Sequence, residues 1–146
     1  MSGGHRIAIQ RVSRIRGIPS DRLFRKWLLA ALPAPAELTL RIVNAAEARN
    51  FNSAFRGKDY PTNVLTFVYH EPAAKRLAGD IVLCAQVVAR EAREQGKSLE
   101  AHYAHLAVHG VLHLAGMDHE KPREALAMES RETAILAQLG YADPYS

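Results

Sequence analysis

Five of the seven histidines in this 146-residue chain lie between positions 102 and 119. On a helix His102, His105, His109 and His113 recur every three or four residues, so they form one stripe. Leu106, Val108, Val111, Leu112, Leu114 and Ala115 make the other faces apolar, which puts such a helix in the interior. Buried imidazoles are costly unless each finds a partner. His109 and His113, one turn apart, can both direct a ring nitrogen at a single ion. Gly116 permits the left-handed conformation that ends a helix and turns the chain back, which lets His119 supply a third ligand. Three imidazoles with one open position describe a catalytic zinc centre; structural zinc sites usually close with four protein ligands, often thiolates. The chain has a single cysteine. The expectation is one Zn²⁺ on His109, His113 and His119, although imidazole donors also suit nickel, cobalt or iron. His105 forms a competing pair with His109 but lacks the glycine turn and third histidine, so it is read as a substrate contact or a support for the ligands. His102 is expected near the surface without a role; His5 and His70 carry no signal.

The spacing His-x3-His-x2-Gly-x2-His also matches metzincin proteases, which place a glutamate directly after the first histidine as general base. Here that position is Gly110, which cannot take a proton, and this argues against peptide hydrolysis by the usual route. Phosphodiester cleavage instead needs cationic clamps and a Lewis acid for charge on the non-bridging oxygens. Arg56 is the candidate clamp, because a guanidinium grips phosphate through two parallel hydrogen bonds. Lys58 is a second, weaker candidate, and Gly57 either permits close approach of the substrate backbone or merely makes a turn. A solvated loop charge is the alternative reading for Arg56. Zinc lowers the pKa of bound water towards about 7; attack on phosphorus by that hydroxide or by a hydroxyl of the substrate itself both remain open. Asp118 is a candidate to orient a ligating imidazole or shuttle a proton, or is simply a turn residue. Asp80 is read as structural, and Pro61-Thr62-Asn63 as shaping a loop opposite the metal.

The elements that must hold these residues follow from periodicity. Strands are expected at Arg6 to Val12, Glu37 to Val43, Val64 to Tyr69 and Ala78 to Cys84. Helices are expected from Ser20-Asp21 to Leu32, stopped by Pro33 and Pro35; from Ala45 to Phe55, capped by Asn44; from Ala85 to Gln95, ended by Gly96; from Ser98 to Ala115, ended by Gly116; and from Pro122 to Leu139, ended by Gly140. Strand and helix patterns mix without strict alternation, so the fold class is α+β: a small mixed β-sheet of about four strands packed with about five helices in one domain, 1–146. Cys84 reads as a small buried hydrophobe.

The composition is that of a globular chain, 48% hydrophobic, with no apolar run long enough to span a bilayer and no secretory signal at the N-terminus. One cysteine suits a reducing cytoplasm. A net charge of +4, with fourteen of nineteen positive charges from arginine, favours an anionic partner.

Three blocks carry a family resemblance: His109-Gly110-Val111-Leu112-His113-Leu114-Ala115-Gly116-Met117-Asp118-His119, the run from Phe51 through Arg56-Gly57-Lys58-Asp59-Tyr60-Pro61-Thr62-Asn63 to Phe67, and Gly79-Asp80-Ile81-Val82-Leu83. In order and spacing they resemble the YbeY family of bacterial endoribonucleases over nearly the whole chain. The resemblance implies a zincin-like fold, a metal on the three histidines, and a single-strand-specific endoribonuclease. It further implies 16S rRNA 3′-end maturation and ribosome quality control, with 16S rRNA and the ribosome or ribosomal proteins as partners. Met117 departs from the family, which often has tyrosine there; the expectation is undisturbed coordination, with a change in packing or in a substrate contact beside the site. The competing readings are a zincin-type metalloprotease with an unusual base and a non-catalytic, zinc-containing ribosome-assembly factor.

Overall fold

In the computed structural model, which describes residues 4–146, four strands and five helices follow one another as β1 (Arg6–Arg11), α1 (Asp21–Ala31), β2 (Ala36–Val43), α2 (Ala45–Arg56), β3 (Val64–Val68), β4 (Leu77–Cys84), α3 (Ala85–Gln95), α4 (Leu99–Leu114) and α5 (Pro122–Leu139). The sheet order is β1-β2-β4-β3; the first three strands run parallel and β3 is an antiparallel edge. The α+β class and element count agree with the pattern in the sequence. No helix among the described residues is long and apolar enough to cross a membrane.

Strand alternation sorts the two sheet faces. Leu38, Leu40, Ile42, Ile81 and Leu83 point into the main core with α1, α4 and α5, while Val43, Leu65, Val82 and Cys84 form a smaller cluster with Ala48 of α2 and Val87 of α3. Cys84 is buried as expected. Phe24, Trp27, Tyr103 and Tyr141 lock α1, α4 and the C-terminal segment through edge-to-face contacts at 5.4–6.0 Å.

Helix α4 is buried on nearly all sides, and Gly110 explains how it sits so close to the sheet. A Cβ at Gly110 would stand 2.9 Å from Ile81 Cγ2 on β4, tighter than carbon atoms tolerate. Ser20 and Ser98 cap α1 and α4, accepting from Leu23 N and Ala101 N. Asn44 stands at the N-cap of α2, but its side chain does not cap. Its Oδ1 accepts from Gln86 Nε2 at 2.9 Å instead, tying the start of α2 to α3.

Candidate metal and phosphate site

Helix α4 ends at Leu114. Gly116 then adopts φ +103°, and Met117 N donates back to Leu112 O at 3.0 Å, which closes the reversal foreseen at this glycine. The turn returns His119 towards the helix it left. His109, His113 and His119 line one cavity of about 420 Å³ with Arg56, Val64, Leu65, Thr66, Asp118 and Glu120. Arg56 reaches it from the last turn of α2, and Val64 to Thr66 from the edge strand β3.

The ring nitrogens of two of these histidines are already assigned by their partners. His109 Nδ1 stands 2.6 Å from Glu132 Oε2, and His113 Nδ1 stands 3.2 Å from the Met117 carbonyl. Carboxylate and carbonyl oxygens only accept, so both Nδ1 atoms carry the proton and both Nε2 lone pairs stay available to an ion. The His119 ring centroid lies 5.4 Å from that of His109 and 6.2 Å from that of His113. A Zn–N bond of about 2.0–2.1 Å puts the centroids of two imidazoles on one ion roughly 5 Å apart. Among the described residues no three His, Cys, Asp or Glu side chains stand in a closed metal cage. The triad is therefore gathered around one cavity but spaced more widely than ligands on a single ion. The donor chemistry, three imidazoles on one cavity with Nδ1 of His109 and of His113 engaged elsewhere, fits a divalent cation.

Glu132, on α5, had not been singled out in the sequence. Its side chain is fully buried and accepts from His109, from His105 Nε2 at 2.9 Å and from the Tyr145 hydroxyl. Burial alone pushes its carboxyl up, but the bonds from His105, His109 and Tyr145 outweigh it and hold the group down at about 2. One signal was available: Met128, Glu132, Ile135 and Leu136 occupy the buried stripe of α5, so a carboxylate interrupts an otherwise apolar face.

His105 does not line the cavity. It turns inward to Glu132 and Tyr145, so the structure brings it to the base of His109. Lys58 is exposed in the loop after α2 and does not line the cavity either. Asp118 does line it, and its Oδ1 accepts from the His119 amide at 2.7 Å, which braces the turn; the rings of His109 and His113 bond to Glu132 and the Met117 carbonyl instead. His102 corrects the expectation of a surface position. It is 3% exposed, and its Nε2 bonds Glu91 Oε1 at 2.9 Å. Glu91 also accepts from Asn63 Nδ2 at 3.1 Å, so the loop before β3 is tied through α3 to the histidine helix.

The mixed four-stranded sheet with an antiparallel edge strand, packed over the histidine helix and its reversal, is consistent with a zincin-like α+β fold. The comparisons are specific. The family described as Endoribonuclease YbeY matches residues 14–140. The chain is 62% identical over 128 residues to Endoribonuclease YbeY of Aromatoleum aromaticum, covering 88% of this chain and 82% of that one. It is 54% identical over 139 residues to the Nitrosomonas europaea protein of the same name, covering 95% and 84%. The solution structure of TM1509 from Thermotoga maritima superposes with a TM-score of 0.58 at 24% identity over 94% of this chain and 99% of that one, a likeness of fold. The chain belongs to the YbeY endoribonuclease family.

Proposed function

We propose that this protein is a Zn²⁺-dependent endoribonuclease that cuts single-stranded RNA in the cytoplasm, and that its substrate is the 3′ end of 16S rRNA, in maturation and quality control of the ribosome. Membership of a family named for endoribonuclease activity supports the reaction class. The observation that carries the reading is that Arg56 and the three imidazoles line the same cavity, with the Nε2 atoms of His109 and His113 left free.

His109, His113 and His119 would hold the ion, which supplies Lewis acidity towards phosphoryl oxygens. Arg56 binds the same phosphate through paired N–H bonds, which resist rotation and fix its orientation. Glu132 keeps the Nδ1 proton on His109 and stops the ring from turning. The 420 Å³ cavity is open to solvent and is lined on one side by Val64, Leu65 and Thr66 of β3.

Gly110 bears on the peptidase alternative. A Cβ there would stand 2.9 Å from Ile81 Cγ2, so a glutamate in the place of Gly110 would have to displace the Ile81 side chain on β4. The test is cleavage of single-stranded and duplex RNA by the purified chain, before and after chelation and with His113→Ala. Cutting of the single strand that stops on chelation and returns with zinc is the expected result. Cleavage indifferent to chelator and to His113→Ala, or none at all, would overturn the reading.

A further inference from the structure

Two cavities meet at the C-terminal end of α2. The consecutive residues Phe55 and Arg56 line different ones: Arg56 the histidine cavity, Phe55 a second of about 370 Å³. The edge strand β3 is the partition, with Val64 and Thr66 on the histidine side and Phe67 on the other. Helix α2 covers the sheet only around Val43, Val82 and Cys84; farther along, Thr39, Phe67 and Asp80 stay partly exposed.

The aromatic rings here are presented outward. Phe55 is 66% and Tyr69 65% exposed. The Phe55 ring stands edge-on to Phe67 at 5.0 Å, which fixes its orientation. The polar groups around them keep free valences. The Tyr69 hydroxyl donates to Asp80 Oδ2 at 2.8 Å, and among the described residues Oδ1 takes no bond. Gln10 Oε1 accepts from Arg41 Nη1 at 2.8 Å, which leaves its amide hydrogens. The volume lies at the small end of the range for ligand sites, roughly 300–1,000 Å³. Exposed aromatic faces beside a free acceptor and a free donor are what an unpaired nucleobase requires.

We propose that this second cavity is a nucleobase subsite for the RNA that enters the histidine cavity, a deepening that rests on the endoribonuclease reading. The strand bends round the β3 edge, Arg56 holds a phosphate, and Phe55 with Tyr69 stacks a base flanking the cut. Stacking accepts any base. The free oxygen of Asp80 discriminates, because adenine, cytosine and guanine each offer an amino group. Uracil offers carbonyls on both sides of its one N–H, and a carboxylate repels them.

The test uses the full chain with single-stranded RNA oligonucleotides that differ only in the bases flanking the cut. Binding is read by fluorescence anisotropy in chelator, cleavage as kcat and KM with metal restored. Phe55→Ala weakens binding and raises KM on the order of tenfold with kcat little changed, and Asp80→Asn removes the preference against uracil. Both positions reach solvent, and equal urea midpoints confirm that the variants fold. If the wild-type chain cuts RNA while Phe55→Ala and Tyr69→Ala bind and cut as it does, the subsite is wrong and the face serves another partner, such as a protein. If the wild-type chain cuts no RNA, both readings fall together.

Discussion

The carboxylate of Glu132 accepts the Nδ1 proton of His109 at 2.6 Å from a position with no solvent access. The same carboxylate takes His105 through its Nε2, the opposite ring nitrogen. One acidic group thereby sets two imidazole tautomers on successive turns of α4, and only that of His109 leaves Nε2 towards the cavity.

Glu132→Gln is therefore expected to weaken zinc binding about 10- to 100-fold, the usual effect of removing a carboxylate behind a ligating histidine. An amide can offer its NH₂ group to His109 and release the ring to the wrong tautomer. Competition against a chromogenic zinc chelator measures this directly. Unchanged affinity would show that the buried carboxylate serves stability alone.

Two of the close-packed glycines, Gly110 and Gly79, separate by what their missing side chains would strike. At Gly110 an added Cβ meets Ile81 side-chain atoms, and alanine's helix preference of about 1 kcal/mol offsets part of an overpacking cost of about 1–3 kcal/mol. At Gly79 the Cβ meets the Phe67 carbonyl oxygen at 2.2 Å, backbone that cannot rotate away. Gly79→Ala should lose more than about 2 kcal/mol in urea unfolding, and Gly110→Ala clearly less. The reverse order would contradict the packing described between β3, β4 and α4.

Most of this architecture was legible because local signals agreed with tertiary demands. Ser20, Ser98, Gly96 and Gly140 bound their helices where capping chemistry puts them, and α3 and α5 run from Ala85 to Gln95 and from Pro122 to Leu139 as the periodicity indicates. The cavity was legible in part: the reversal at Gly116 and the position of Arg56 follow from spacing and motif. Inward partners were not. Glu132 is 23 residues from His109 and Glu91 is 11 from His102, and no local pattern tells which buried carboxylate meets which ring. His105 and His102 share the stripe with the candidate ligands, yet packing turns them to Glu132 and Glu91. Asn44 has the right residue type for a cap, but Gln86 competes for its oxygen.

His102 gives a pH dependence with a defined sign. Burial lowers its pKa from the ordinary 6.5, more than the hydrogen bond to Glu91 raises it. The unfolded chain then binds the proton more readily, so this contribution to stability is full above pH 6.5 and is lost as the pH falls below it towards the folded value. His102→Gln, which cannot titrate, should flatten the fall in urea stability below pH 6.5 when compared with wild type under the same chelating conditions. Parallel curves for the two proteins would mean that His102 is not held neutral by its surroundings.

Arg56 tests the chemistry of the cavity most sharply, because it shares the space with the imidazoles without touching their hydrogen-bond partners. Arg56→Ala should lower kcat/KM on the order of 10²- to 10³-fold, the cost of one lost donor to a charged transition state, with zinc affinity unchanged. Lysine should recover only part of the loss, since an ammonium keeps the charge but not the planar pair of donors. If the guanidinium contacts a phosphate, the dependence of log Kd on log salt for single-stranded RNA should fall by about 0.7 in the alanine variant. Lys58→Ala, whose side chain lies outside the cavity, should leave kcat/KM close to wild type. Equal losses at 56 and 58 would mean that RNA is held by the charge of the whole loop, and that the guanidinium beside the three imidazoles has no special part in the reaction.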